Sequence, residues 1–233
     1  MRLLLRVFLV MIVFAALMGC SKKAGIEGKV VDGTGTPMSG LKMIAEQVQP
    51  VKGYEHFETT SDLKGSFKFE GLFAASEYLI TPLSDKWTAN GIKAISGTEG
   101  HTAMLTKPLE IRFTRNKAGV VVDSKTGLQW VPANGQSMTY YEAESYVKNL
   151  SLDGGGWMLP SIDQLKQIHP GDPMLNVSLD HWVWSGETCN YYGAPGSRYL
   201  YFFLKTDYCY ARDSSYNNLN RVLPMRYPSG HSN

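Results

Sequence analysis

This chain has 233 residues, of which 23 are lysine or arginine and 21 are aspartate or glutamate, so its formal net charge is +2. The length suffices for two domains of ordinary size. The near-neutral charge excludes a general electrostatic attraction to nucleic acid or to anionic surfaces, so binding to a polyanion requires a local patch.

The first 20 residues carry a targeting signal. Arg2 and Arg6 precede an apolar run over residues 7–18, which is shorter than the ~20 residues of a membrane-spanning helix. The run closes with Leu17-Met18-Gly19-Cys20 and resembles the signal peptide and lipobox of bacterial lipoproteins. The resemblance implies that residues 1–19 are removed and that Cys20 is lipidated and anchors the chain to a membrane. An ordinary secretory signal beside a free cysteine is the alternative.

A β domain is predicted over residues 25–112, after a short lipidated tether at residues 20–24. Alternating apolar residues and turn residues fill this region, and no useful helical period occurs before residue 138. Two motifs stand out: Ile26-x-Gly28-x-Val30-x-Asp32-x-x-Gly35-x-Pro37 and Asp62-x-x-Gly65-x-Phe67-x-Phe69-x-Gly71-Leu72. They resemble the carboxypeptidase regulatory-like family. The resemblance implies a seven-stranded, transthyretin-like β-sandwich that acts as a spacer or an interaction module.

A second domain is predicted over residues 113–227, followed by a tail at residues 228–233. Residues 120–131 predict a β-hairpin. Ser137 or Thr139 can cap an amphipathic helix, and Thr139 with Glu142 has the spacing of a capping box. Gly154-Gly155-Gly156 is predicted to end this helix. Ser161 is predicted to cap a shorter helix over residues 162–168. Strands and loops rich in aromatic residues follow after Pro173.

Cys189 and Cys209 are the two cysteines that follow Cys20, and they lie close together in a chain predicted to be exported. Because oxidation is the default outside the cytoplasm, we predict that they form one disulfide, with two separate buried thiols as the alternative. Closing a loop of this size contributes about 3 kcal/mol in the chain-entropy model.

Five ordered motifs in the second domain resemble the Lcl C-terminal domain family. They include Asp123-x-x-Thr126-Gly127-Leu128-x-Trp130, Gly156-Trp157-x-Leu159-Pro160-Ser161 and Trp182-x-Trp184-Ser185-Gly186. The resemblance implies a C-type-lectin-like fold, in which two helices flank a twisted antiparallel sheet and long loops present a ligand surface. The expected fold class is therefore mostly β, with an α+β C-terminal domain. The sequence lacks the triplets of calcium-dependent lectins, so no calcium site is expected.

The aromatic C-terminal segment supplies the candidate ligand-binding residues. Sugar faces stack on aromatic rings, and sugar hydroxyls need polar partners. The predicted contacts are Tyr192, Arg198, Tyr208, Tyr210, Arg212, Asn217 and Arg221. The alternative is an ordinary surface loop without a ligand. Other aromatic residues that alternate along strands are predicted to lie in the core, and these are Trp182, Trp184, Tyr201 and Phe203.

These patterns predict a non-enzymatic, lipid-anchored protein of the cell envelope, at the outer membrane if the host has one. Its head is expected to bind an acidic glycan or another envelope ligand, and no nucleic acid, cofactor or metal is expected. A structural or assembly role with a protein partner is the alternative. An enzyme is a minor alternative, because the sequence has no Gly-x-Ser-x-Gly elbow and Glu142 and Glu144 do not share a helix face.

Overall fold

The structure, a computed structural model, describes residues 23–84, 86–87, 91–168, 172, 174–212 and 220–228. The predicted signal peptide, the predicted lipidation site Cys20 and the predicted ligand residue Asn217 lie outside the described residues. The chain divides into two compact units, the first mainly up to Leu109 and the second mainly from Glu110 onward. The described residues are mostly β-strand with a small helical part, which confirms the predicted mostly-β fold class.

The first unit is built from two sheets in which most strand pairs are antiparallel. Its strands are β1 (Lys23–Asp32), β2 (Lys42–Gln47), β3 (His56–Thr60), β4 (Ser66–Phe73), β5 (Glu77–Pro82), β6 (Ile92–Ile95) and β7 (Thr102–Met104), followed by β8 (Leu109–Ile111). One sheet has the order β4-β1-β7, with β8 also paired to β1, and the other has the order β3-β2-β5-β6. The β1–β7 pair is parallel.

Alternation along the strands gives this unit its core. Ile26, Met43, Phe69 and Ile80 are all buried, and the rings of Phe67 and Phe69 pack edge to face with centroids 5.8 Å apart. The turn before β4 depends on Asp62, whose carboxylate accepts the backbone N–H groups of Lys64 and Ser66 at 2.8 Å each. These contacts form an Asx turn, and Asp62 is the first residue of the sequence motif that predicted a turn before this strand.

The second unit contains a four-stranded sheet, a three-stranded sheet, two α-helices and a short 3-10 helix (Leu152–Gly154) among its described residues. The elements are β9 (Phe113–Arg115), β10 (Val121–Asp123), β11 (Gln129–Trp130), α1 (Tyr140–Asn149), α2 (Ile162–Lys166), β12 (Trp182–Tyr191), β13 (Ala194–Tyr201), β14 (Thr206–Ala211) and β15 (Met225–Arg226). The sheet orders are β15-β11-β10-β9 and β12-β13-β14. The predicted hairpin corresponds to the antiparallel pair β10–β11.

Both helices begin at the predicted caps. The Thr139 hydroxyl accepts the backbone N–H of Glu142, whose carboxylate accepts the N–H of Thr139 at 2.8 Å. Ser161 and Gln164 form a second capping box in front of α2. Helix α2 ends at Lys166, two residues before the predicted end. No helix among the described residues has the length and apolar character that a membrane crossing requires.

The three-stranded sheet β12–β14 has core residues on both faces. On one face, Val183, Leu200 and Phe202 belong to a core cluster that includes Leu165 of α2. On the other face, Trp184 and Tyr199 belong to a cluster that includes Tyr140, Ala143 and Val147 of α1. Sequence reasoning placed Phe203 in the core, and this was wrong. Phe203 is 63% exposed because it lies in the turn after β13, and its neighbour Phe202 is the buried ring.

Candidate functional site

Strands β12, β13 and β14 place a row of aromatic rings on the face of the sheet that packs against α1. The register pairs Trp182 with Tyr201, Trp184 with Tyr199, and Tyr199 with Tyr208. Cross-strand pairs of this kind bring side chains into contact on one face of a sheet. We call these five residues, Trp182, Trp184, Tyr199, Tyr201 and Tyr208, the aromatic row.

Ring contacts run through the whole aromatic row. The centroid of Trp182 lies 5.2 Å from that of Tyr199, 4.9 Å from that of Tyr201 and 5.5 Å from that of Tyr208. Tyr199 and Tyr208 are stacked at 5.8 Å, and Trp184 meets Tyr199 edge to face at 5.5 Å. Each ring therefore holds its neighbours in place.

The aromatic row is buried at one end and open at the other. Trp184 is fully buried and Tyr199 is 8% exposed, whereas Trp182 and Tyr201 are half-buried and Tyr208 is 37% exposed. The open end, formed by Trp182, Tyr201 and Tyr208, can accept a flat apolar surface such as one face of a sugar ring. Sequence reasoning assigned Trp182 and Tyr201 to the core, whereas the structure leaves both rings partly exposed.

A second aromatic group lies at the turn between β12 and β13. The ring centroid of Tyr191 is 4.9 Å from that of Tyr210 and 4.8 Å from that of Tyr192. Tyr192 is 94% exposed and has a φ of 48°, and Gly193 follows with a φ of 89°. Left-handed backbone at both positions matches the twist of a tight hairpin, although it strains a tyrosine.

The predicted disulfide between Cys189 and Cys209 is confirmed. It joins β12 to β14, which are the outer strands of the sheet, and the two Cα atoms are only 6.0 Å apart. The bridge crosses the central strand at Gly196. A Cβ atom at Gly196 would lie 2.9 Å from the sulfur of Cys189 and 3.1 Å from that of Cys209, so this position requires glycine.

Arg212 is held against α1. Its guanidinium carbon lies 4.7 Å from the ring centroid of Tyr140, and its Nε donates to the Ser197 hydroxyl at 3.0 Å. Burial, together with a hydrogen bond to Glu144, raises the pKa of the Tyr140 hydroxyl. The structure therefore gives the predicted ligand residue Arg212 intramolecular partners on β13 and α1.

Arg198 lies on the opposite face of the sheet from the aromatic row, because it alternates with Ser197 and Tyr199 along β13. It forms an ion pair with Asp207, which also pairs with Lys166 of α2 at 3.0 Å. The hydrogen bond from Lys166, followed by the contribution of Arg198, lowers the pKa of Asp207. The structure thus separates Arg198 from Tyr208, with which sequence reasoning had grouped it.

Arg221 pairs with β12 through its backbone. Its backbone N–H donates to the Trp182 carbonyl at 2.6 Å, and its carbonyl accepts the Trp184 N–H at 3.0 Å. Burial and the charge of Arg221 lower the pKa of His181. The bridge partner of Arg221 is Val183, which packs on the side of the sheet opposite the aromatic row, so Arg221 lies on that opposite face.

Comparisons with known proteins add little to this geometry. No family model matches the chain, and no curated protein matches it. Among solved structures, a similar chain is a DUF3823 family protein from Parabacteroides merdae, with 14% sequence identity and a TM-score of 0.30. The match covers 47% of this chain and 57% of that chain, so this chain spans little more than half the length of that protein. A likeness at this level carries no argument about fold or function.

Two grooves that sequence reasoning did not anticipate flank helix α1. One has a volume of about 570 Å³ and is lined by amide, hydroxyl and aromatic side chains that include Gln136, Ser145 and Tyr146. The other has a volume of about 790 Å³ and passes Trp157 and Met158.

No group of three or more histidine, cysteine, aspartate or glutamate side chains that could hold a metal ion occurs among the described residues.

Arg226 makes its contacts within the scaffold of the second unit. Its guanidinium lies over the Trp157 ring at 4.4 Å and donates to Gln129 at 2.7 Å and to the Asp153 carboxylate at 2.8 Å. It also donates to the carbonyl oxygens of Asp153 and Gly155. These contacts join β15, β11 and the turn after α1, so Arg226 holds the scaffold together.

Proposed function

We propose that the second unit is a non-enzymatic binding head that stacks a carbohydrate on the open end of the aromatic row. The observation that carries this proposal is the continuous contact of Trp182, Tyr201 and Tyr208 above the buried rings of Trp184 and Tyr199. Buried rings keep the exposed rings in a fixed geometry, so little conformational entropy is lost when a ligand binds.

The polar groups at the open end are the hydroxyls of Tyr201 and Tyr208, which favour a hydroxyl-rich ligand. Arg198 and Arg221 both lie on the opposite face of the sheet, where Arg198 and Lys166 pair with Asp207. The proposal requires no cofactor, metal or catalytic group.

The sequence supports a lipid-anchored placement for this head. The lipobox resemblance places an acyl anchor on Cys20, and several acyl chains make such an anchor effectively permanent. The first unit, whose motifs resemble the carboxypeptidase regulatory-like family, then serves as a spacer, and the Lcl C-terminal resemblance fits a lectin-like head. The proposed location is the cell envelope, at the outer membrane where one exists.

A glycan array tests the proposal directly. The full mature chain, with Cys20→Ser to prevent acylation, would be applied to neutral and sulfated glycans at physiological salt, with and without calcium. We expect reproducible binding that Tyr208→Ser weakens about tenfold, in line with the loss of one stacking ring. Tyr141→Ser is the matched control, because Tyr141 is 51% exposed and lies on α1 outside the aromatic row.

A blank array from the folded protein would contradict carbohydrate binding. It would favour the second candidate function, in which the protein binds a protein partner in the envelope. The observation behind that candidate lies in the first unit, where a groove of about 450 Å³ runs along the edge strands β6 and β7. Ile95 and Met104, at 64% and 67% exposed, lie on these strands and present an apolar surface.

A further inference from the structure

The turn between β13 and β14 exposes two large apolar side chains in succession. Phe203 is 63% exposed and Leu204 is 55% exposed, while the preceding Phe202 is buried. Lys205 completes the turn with a φ of 50° and is exposed. A hairpin turn is normally polar, so two adjacent exposed apolar residues distinguish this turn from an ordinary one.

A neighbouring turn extends this apolar surface. The backbone N–H of Phe202 donates to the His181 carbonyl at 3.3 Å, which ties the hairpin to the turn at residues 178–181. That turn carries Leu179, which is 49% exposed. We call Leu179, Phe203 and Leu204 the apolar tip.

Aromatic residues typical of a membrane interface lie behind the apolar tip. The ring of Tyr201 is 6.1 Å from that of Phe203, and Trp182 follows at 4.9 Å from Tyr201. Tryptophan and tyrosine are enriched at the level of lipid headgroups, whereas phenylalanine and leucine reach the acyl boundary below them. From the turn into the sheet, the apolar residue Phe203 therefore comes first and the interfacial residues Tyr201 and Trp182 follow. This is the order from the acyl region to the headgroups of one leaflet.

The charges near the apolar tip complement an anionic surface. Lys205 is exposed within the turn, and the carboxylate of Asp207 is neutralised by ion pairs with Lys166 and Arg198. Asp180, on the neighbouring turn, accepts a hydrogen bond from Ser178 and faces the charge of Arg221. These cations outnumber the carboxylates, so anionic headgroups would meet a locally positive surface here.

We propose that the apolar tip inserts into the interface of an anionic lipid bilayer. Few side chains enter the bilayer, so insertion by itself is weak and reversible, and it acts as a second membrane contact beside the acyl anchor. That joint action rests on the proposed anchor at Cys20. The rings of Trp182 and Tyr201 are shared with the proposed carbohydrate surface, whereas the inserted residues Phe203 and Leu204 are not, so the two proposals can be tested separately. The tip would hold the second unit at a membrane surface in a fixed orientation.

Vesicle partitioning tests this proposal. The full mature chain with Cys20→Ser would be mixed with vesicles of phosphatidylcholine and phosphatidylglycerol, and bound protein would be separated by flotation. We expect binding that the double substitution Phe203→Ser and Leu204→Ser weakens about tenfold or more. Tyr192→Ser is the matched control and should retain binding, because Tyr192 is an exposed ring at the other turn of the same sheet.

Depth of insertion gives a second readout that adsorption by charge would not produce. In Phe203→Trp, lipids brominated in their acyl chains should quench the added tryptophan fluorescence, whereas in Tyr192→Trp they should not. Each of three results would overturn the proposal. These are a wild-type chain that does not bind the vesicles, a double variant that binds as well as the wild type, and a Phe203→Trp variant whose added fluorescence is not quenched.

The test also separates lipid from protein as the occupant. If the double variant changes the sedimentation of the protein in the absence of vesicles, the tip is a contact between copies of the chain and the proposal fails. The glycan array reports on Tyr208 and uses no lipid, so its failure and the failure of vesicle binding are distinguishable. Thermal unfolding of each variant verifies that these exposed substitutions leave the fold intact.

Discussion

The two ends of the three-stranded sheet β12–β14 are held in different ways. At the closed end, a disulfide between the outer strands crosses the central strand at Gly196. The other end of the sheet carries the open end of the aromatic row and the apolar tip. These groups are positioned by backbone pairing and ring contacts. The covalent cross-link therefore lies away from the surface proposed to bind. Substitutions at the closed end should change unfolding, and substitutions at the open end should change binding.

The largest effect expected at the closed end is loss of the disulfide. Replacing both Cys189 and Cys209 by serine removes a cross-link between residues 20 positions apart in sequence. The unfolded chain gains conformational freedom, so the free energy of unfolding of the second unit should fall by about 3 kcal/mol. Chemical denaturation measures this loss, and hydrogen exchange assigns it to one unit.

The first unit serves as the internal control for this experiment. Amide exchange in strands such as β2 and β5 should stay unchanged while exchange in β12 and β14 accelerates. Equal stability of the second unit with and without the two cysteines would show that packing, and not the bridge, holds the closed end together. Glycan and vesicle binding should decrease far less than stability at temperatures where the variant is folded.

A smaller effect is expected from a single added methyl group beneath the bridge. In Gly196→Ala the new Cβ meets both sulfur atoms and lies 2.8 Å from the Tyr210 carbonyl oxygen. Overpacking of this kind costs about 2 kcal/mol of unfolding free energy. Thermal or chemical unfolding measures it, with Ala194→Val as the control, because Ala194 is exposed on the same strand. A stability equal to that of the control would mean that the sheet relaxes around the added carbon.

Local signals in the sequence predicted the elements that depend on neighbouring residues. Thr139 with Glu142, and Ser161 at the start of α2, mark helix starts because a cap involves residues three positions apart. The β10–β11 hairpin and the disulfide likewise follow from short sequence separations. These features need no knowledge of the rest of the fold.

The surface of the sheet could not be predicted in the same way, because it depends on strand register. A shift of one residue moves a side chain to the opposite face. Sequence reasoning grouped Arg198 with the tyrosines and placed Phe203 in the core. Both assignments depend on which residues belong to β13, because the strand bounds decide on which face each side chain lies. An irregularity in β12 between Trp184 and Thr188 interrupts the alternation further. Arg198 and Tyr199 are adjacent in sequence. If the bounds of β13 were known, their side chains would therefore be expected on opposite faces of the sheet.

The smallest expected effect concerns the ion pairs on the face opposite the aromatic row. The pKa of Asp207 is lowered from its ordinary value of 3.8, chiefly by its hydrogen bond with Lys166. A carboxyl group with a lowered pKa stabilises the folded state above the pKa that it has when unfolded, and this contribution is lost as the pH falls through the folded pKa. Asp207→Asn should therefore lower the unfolding free energy at pH 7 by less than about 1 kcal/mol, since the partners are partly exposed.

The pH dependence of that difference is the sharper measurement. Wild type and Asp207→Asn should differ most above about pH 5. The difference should shrink once the pH falls below the ordinary carboxyl pKa, and it should be lost as the pH falls through the lower pKa of the folded state. Glu144→Gln is a useful comparison, because that carboxylate bonds Tyr140 on the aromatic side of the sheet. If Asp207→Asn instead abolished carbohydrate binding while leaving stability unchanged, the two faces would not be independent, and the separation of Arg198 from the proposed site would have to be abandoned.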